Sequence, residues 1–160
     1  MSRLTKSLFA LGIFLIAVPT LASGAAAHKG ALKPDFCHVW SFSGGGTFNA
    51  AVTHSHKKND MYQIVCEPGG EVCWAFSFNI GNGGTMLTTG LTDSDWEWWV
   101  CAWADNAGKT KYQAFAEVPG ADLARVGGLS SEPVEVDLGS ASAPSGVRQQ
   151  ARRLRELVER

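Results

Sequence analysis

The sequence predicts an all-β domain, a small disulfide-tied antiparallel barrel or sandwich, and three observations carry that prediction. Short runs of β-branched and aromatic residues follow one another from Phe36 to Trp103, each bounded by Gly, Asn, Asp or Ser, the punctuation of strands and turns. The stretch is also duplicated. Cys37 opens CHVWSFSGGGT and Cys73 opens CWAFSFNIGNGGT, and the two strings share Cys, an aromatic three residues on (Trp40 and Phe76), Ser-Phe and Gly-Gly-Thr. The copies close on DMYQIVC and DWEWWVC, so Asp60, Val65 and Cys66 match Asp95, Val100 and Cys101 in a repeat of roughly 36 residues. Finally, the chain has four cysteines, all inside the duplication, an even number that reads as a disulfide framework in an oxidising compartment.

Residues 1–27 read as a secretory signal peptide. Arg3 and Lys6 precede an apolar run from Leu8 to Val18, and Pro19 leads to a small-residue stretch ending Ala25-Ala26-Ala27. A membrane anchor would need about 20 apolar residues, so cleavage after Ala27 and a secreted or periplasmic location are expected. Residues 28–35 are polar, contain Gly30 and Pro34, and read as a flexible lead-in.

The duplicated β domain spans 36–138. Two three-stranded repeats, about 36–72 and 73–103, are each expected to fold as a meander. In the first, Phe36–Phe42, Thr47–Ser55 and Met61–Cys66 are the strands; in the second, Cys73–Phe78, Met86–Leu91 and Trp96–Trp103. Gly44-Gly45-Gly46 and Gly81-Asn82-Gly83-Gly84 supply the hairpin turns. Ala104 to Gly108 is a turn signal, after which Thr110–Val118 makes a seventh strand and Glu132–Leu138 a short edge strand. Residues 139–144 are a linker. Residues 145–160 form a basic amphipathic helix with Ser145 as its N-cap, in which Val147, Ala151, Leu154 and Val158 share one face.

The meander also selects the disulfides. Cys37 and Cys66 would lie at opposite ends of the repeat, a strand length of about 17 to 20 Å apart, whereas a disulfide needs Cα atoms within about 7 Å. Cys66 with Cys73 across the Pro68-Gly69-Gly70 turn, and Cys37 with Cys101, are the expected pairs. A zinc knuckle would show closer cysteine pairs.

Charge restricts the function classes. Removing residues 1–27 takes Arg3 and Lys6 and no acid, leaving 12 bases against 15 acids, a formal charge of −3. Residues 28–143 carry −6, and the stretch from Pro144 onward +3. An acidic body lacks the basic face that phosphates require, which argues against nucleic acid. The helix has a narrow aliphatic stripe without Trp or Phe, so membrane contact is expected to be weak or absent and the tail mobile.

No catalytic constellation is present. There is no G-x-S-x-G, the Gly-rich turns lack a P-loop Lys, and the cysteines are committed to disulfides. The primary expectation is therefore a non-catalytic binding module that recognises a carbohydrate or protein surface. Its aromatic face would be Trp96 and Trp98, which alternate on one side of a strand, with Asp93 and Asp95 beside them to accept hydrogen bonds. The competing reading makes these indoles core. A different class of function rests on His54 and His56, one face of a strand, with His38 brought alongside by a symmetric hairpin; such a cluster could hold zinc or copper. A structural envelope protein without a small ligand is the third reading.

Overall fold

The computed structural model describes residues 28–79, 83–117 and 132–159. The expected signal peptide, residues 81 and 82 of the second expected glycine turn, residue 118 at the end of the expected seventh strand, and all of residues 119–131 lie outside the described residues. Among the described residues nine strands run His28–Leu32 (β1), Phe36–Phe42 (β2), Gly46–His54 (β3), Met61–Cys66 (β4), Cys73–Asn79 (β5), Gly84–Thr92 (β6), Trp96–Ala102 (β7), Thr110–Glu117 (β8) and Val134–Asp137 (β9). They are followed by one helix, Ser145–Val158 (α1).

The strands form two antiparallel sheets, ordered β1-β8-β3-β6 and β5-β4-β7-β2-β9. Every connection in β1–β8 except β4 to β5 crosses from one sheet to the other, and the eight strands take the order of a jelly roll, with β9 added beside β2. Among the described residues no ladder joins the edges of the two sheets, so they form a sandwich and not a closed barrel. Residues 28–35, expected as a flexible lead-in, instead begin with β1, which pairs with β8 from His28↔Ala114 to Leu32↔Thr110.

Each strand of the duplication pairs with the other copy and not within its own, which corrects the expected meanders. In β4·β7, Ile64 lies opposite its duplicate Trp99, and the pairs Tyr62↔Cys101 and Cys66↔Glu97 exchange when the copies are swapped. In β3·β6, Ala50 lies opposite its duplicate Thr88, with Gly46↔Thr92 and His54↔Gly84 exchanging in the same way. An antiparallel ladder has local two-fold symmetry, so two copies of one sequence can share a register. The duplication is thus a pseudo-two-fold axis through both sheets. The disulfides Cys37–Cys101 and Cys66–Cys73 obey it, each joining the first cysteine of one copy to the last of the other.

Burial separates two kinds of strand. β3 alternates buried and exposed residues, as a strand with one face in water must, whereas all six residues of β4 are buried and β7 is buried except at Glu97. The reason is a third layer. One core lies between the sheets and contains Trp40, Phe48, Val52, Met61, Val65, Trp96, Trp98 and Val100; the other lies on the outer face of the β4/β7 sheet and contains Val39, Tyr62, Ile64, Trp99, Trp103, Leu138, Val147 and Leu154. The second core is roofed by α1.

The expected mobile tail is therefore a docked helix. Val147 and Leu154 are both fully buried. Ser145 does not cap the helix with its own side chain; the N-cap position is Pro144. The Glu71 carboxylate, from the β4–β5 turn, accepts hydrogen bonds from the Ser145 hydroxyl and from the backbone N–H groups of Ser145 (3.2 Å) and Gly146 (3.3 Å). An anion at a helix N-terminus satisfies orphan donors and complements the dipole, and the Ser145 hydroxyl, first among these contacts, holds the Glu71 carboxyl below its usual range. Gly146 is required there because a Cβ would collide with the Glu71 backbone carbonyl. At the other end Arg155 pairs with Asp105, lies 3.9 Å from Asp60 and sits over the Trp103 ring. Residues 139–144, expected as a linker, form turns that bury Ala143 against the second core.

Candidate functional site

The six tryptophans divide unequally. Trp40, Trp96, Trp98, Trp99 and Trp103 are at most 5% exposed, whereas Trp74 is 40% exposed. This corrects the expected aromatic face. Trp96 is sandwiched by Phe42 at 4.2 Å and Phe48 at 4.8 Å between ring centroids, and Trp98 packs on Trp40 at 5.2 Å. The Trp98 indole N–H donates to Gln63 Oε1 at 2.8 Å, Gln63 Nε2 donates to Ser77 Oγ at 2.7 Å, and the Ser77 and Thr88 hydroxyls lie 2.8 Å apart. This buried chain satisfies every polar group it passes on its way from one sheet to the other, as a dry core demands. A sheet with a layer on each side can bury aromatics on both faces, which a two-layer expectation does not allow for. Asp93 and Asp95 are exposed on the β6–β7 turn, and Asp95 Oδ1 accepts the Gly44 N–H at 2.7 Å, so it anchors the neighbouring glycine turn.

The three histidines proposed as a metal cluster are separated. His54 ends β3 and is buried, with neither ring nitrogen at a hydrogen-bond partner, and burial lowers its pKa. His56 is exposed and accepts the Lys58 N–H. His38 lies in the other sheet, because β2 pairs with β7 and β9 and not with β3. Among the described residues no three His, Cys, Asp or Glu side chains stand close enough to hold a metal ion.

The aromatic surface lies on β5, the edge strand of its sheet. Val72 is 54% exposed, Trp74 40% and Phe76 43%. By the duplication Phe76 and Phe78 correspond to Trp40 and Phe42, which face the core between the sheets. The pairing explains the difference. In β2·β7, Trp40 faces Trp98 and Phe42 faces Trp96. The equivalent partners of Phe76 and Phe78 would be Gln63 and Met61, yet the ladder pairs Phe76 with Ile64 and Phe78 with Tyr62. A register irregularity between Val65 and Cys66, with Trp74 as the extra residue, shifts β5 by one position. A one-residue shift moves every side chain to the opposite face, so this copy of the aromatic stripe points outward. Phe78 packs against the second core, while Trp74 and Phe76 remain open to solvent. Leu157, 54% exposed, lies on the flank of α1 turned toward β5, because Arg148 and Arg155 occupy the flank facing Leu138 and Trp103.

The alternation Trp74, Phe76, Phe78 is legible in the sequence. Its direction is not, because it depends on the bulge.

No family model matches the chain, and no curated protein matches it. Among solved structures, the chain is similar to the Yersinia pseudotuberculosis-derived mitogen, at 15% identity and a TM-score of 0.41, over 68% of this chain and 92% of that one. A similarity at that level carries no argument about activity. Two disulfides in the fold suit an oxidising compartment, extracellular or periplasmic. Among the described residues no helix is long and apolar enough to cross a membrane.

Proposed function

We propose that this chain is an exported, non-catalytic binding module that recognises a protein surface through the outer face of β5. The observation that carries this reading is the exposure of Trp74 and Phe76 at a sheet edge while the other five indoles are buried. Large aromatics held on a disulfide-anchored strand lose little entropy on contact and are the side chains that dominate interface energies. Val72, exposed just ahead of them in the chain, is aliphatic. A sugar site sets hydrogen-bonding groups around its aromatic platform, and the carboxylates expected for that role, Asp93 and Asp95, belong to the β6–β7 turn. Among the described residues no strand pairs with the outer edge of β5, which offers a row of backbone groups to a partner strand. Export follows in this reading from residues 1–27 acting as a signal peptide cleaved after Ala27.

A photo-crosslinking residue placed at position 74 tests the reading in the exported protein. One defined protein adduct is expected, absent when the crosslinker stands at Leu87, exposed on the opposite sheet, and lost on Phe76→Asp. Binding to a glycan panel that depends on Trp74 would replace the protein partner by a carbohydrate. Equal labelling from positions 74 and 87 would remove β5 as the site.

A further inference from the structure

The outer face of the β4/β7 sheet carries a charge where the duplication has an aromatic ring. Glu97 is the counterpart of Tyr62 in the repeat, and the pseudo-two-fold axis through β4·β7 gives the two positions equivalent places on that face. Tyr62 is buried in the core roofed by α1, with its ring centroid 4.4 Å from that of Trp103. Glu97 is left on the floor of a groove of about 540 Å³, walled by β9, by Gly69 of the β4–β5 turn and by Pro144. That volume is within the range of small-molecule sites, roughly 300 to 1,000 Å³.

The groove has a polar end and an apolar end. Ser41 lies opposite Glu97, Val39 lies opposite Trp99, and Val134 of β9 lies opposite Val39. Residues directly opposite one another share a face of the sheet, so Ser41 with Glu97 forms one row of the floor and Val134, Val39 and Trp99 form the next. Alternate positions along a strand stand about 6.6 to 6.8 Å apart. A small molecule with a polar head and a short apolar body fits across the two rows.

The carboxylate of Glu97 is held in place. The Trp99 indole N–H donates to its Oε2 at 3.1 Å. One neutral acceptor would satisfy that donor, as the amide oxygen of a Gln would; a carboxylate adds a negative charge and a second oxygen, and among the described residues Oε1 makes no hydrogen bond or ion pair. Glu135 and Asp137 line the same groove, and among the described residues no Lys, Arg or His does. Arg148, which donates to the Ser140 carbonyl at 3.5 Å, lines a different cleft with Asp35. The charge in the groove therefore calls for a cation, and an ammonium group, with three donors and no acceptor, complements a carboxylate oxygen beside a hydroxyl.

We infer that this groove binds a small organic ammonium, with its head between Glu97 Oε1 and the Ser41 hydroxyl and its aliphatic body over Val39, Val134 and the edge of Trp99. The inference goes beyond the β5 reading and does not rest on it.

Titration of the purified protein with n-hexylammonium chloride, followed by the indole N–H signals in proton–nitrogen correlation spectra, tests it. Trp99→Phe assigns the signal of Trp99 among those of the six tryptophans. Hexylammonium should shift that signal saturably, because its acceptor is the carboxylate that takes the ligand, and should leave the Trp74 signal in place. Glu97→Gln, which keeps an acceptor for the indole, should weaken binding at least about tenfold, since hydrogen bonds to charged groups are the stronger ones; Ser41→Ala, at an exposed position, should weaken it about two- to tenfold and serves if Gln disturbs the indole. 1-Hexanol, with the same body and no charge, should bind at least about tenfold more weakly than the amine. No saturable shift of Trp99, equal affinity for hexanol and hexylammonium, or unchanged affinity in both variants overturns the site. Crosslinking from position 74 is unaffected by any of these results, so the two readings fail separately.

Discussion

Leu154→Ala measures whether α1 belongs to the fold. Leu154 is fully buried on the inner face of the helix, in the core shared with Tyr62, Ile64, Trp99 and Trp103. Truncating a buried Leu to Ala removes transfer energy and leaves a cavity, at a cost of about 2 to 5 kcal/mol. The roof here is one helix, able to settle partway into the gap, so the lower half of that range is expected, near 3 kcal/mol. For a domain between the 100- and 150-residue cases this lowers the thermal midpoint by roughly 10 °C. Urea unfolding followed by far-ultraviolet circular dichroism gives the free energy directly, and tryptophan emission reports on Trp99 and Trp103 beneath the helix. Leu157→Ala, three residues on and exposed, is the control, and should stay within about 0.5 kcal/mol of the parent. A Leu154→Ala loss below about 1 kcal/mol, or equal losses in the two variants, would refute the three-layer account and restore a tail independent of the β domain.

The two disulfides should differ in weight. Cys37–Cys101 closes a separation of 64 residues and Cys66–Cys73 one of 7; in the chain-entropy model replacing them by Ala pairs costs about 4 and about 2 kcal/mol respectively, a ranking that denaturant midpoints of the two double variants check. Acid should destabilise the fold through His54. Its folded pKa lies below the ordinary 6.5 because burial disfavours the charged form, so the unfolded chain binds the proton first and stability falls as pH drops below about 6.5 toward the folded pKa. His54→Gln should flatten the urea midpoint between pH 7 and 5 relative to the parent, and an unchanged slope would show that the ring is not desolvated in solution.

Much of this molecule is local, and the local part is legible in residues. Met61–Cys66 is bounded by a polar turn and by Pro68-Gly69-Gly70, and the strand has those limits. The duplication names Cys37, Cys66, Cys73 and Cys101 as corresponding points, and these cysteines are joined in the pairs reasoned from it, although the meander used to reach them does not exist. Val147, Ala151, Leu154 and Val158 define the helix face that is buried. What the tertiary structure alone decided is which surfaces meet. Strand pairing between copies joins residues far apart in the chain, and nothing in CHVWSF says that its partner is DWEWWVC and not GTFNAAVTH. Whether both faces of Trp96-Glu97-Trp98-Trp99 are core depends on a third layer supplied by a helix more than 40 residues later. The aromatic stripe of β5 depends on less still: a single extra residue at Trp74 turns Phe76 from the core toward water, because side chains alternate with a period of two and a shift of one inverts them all.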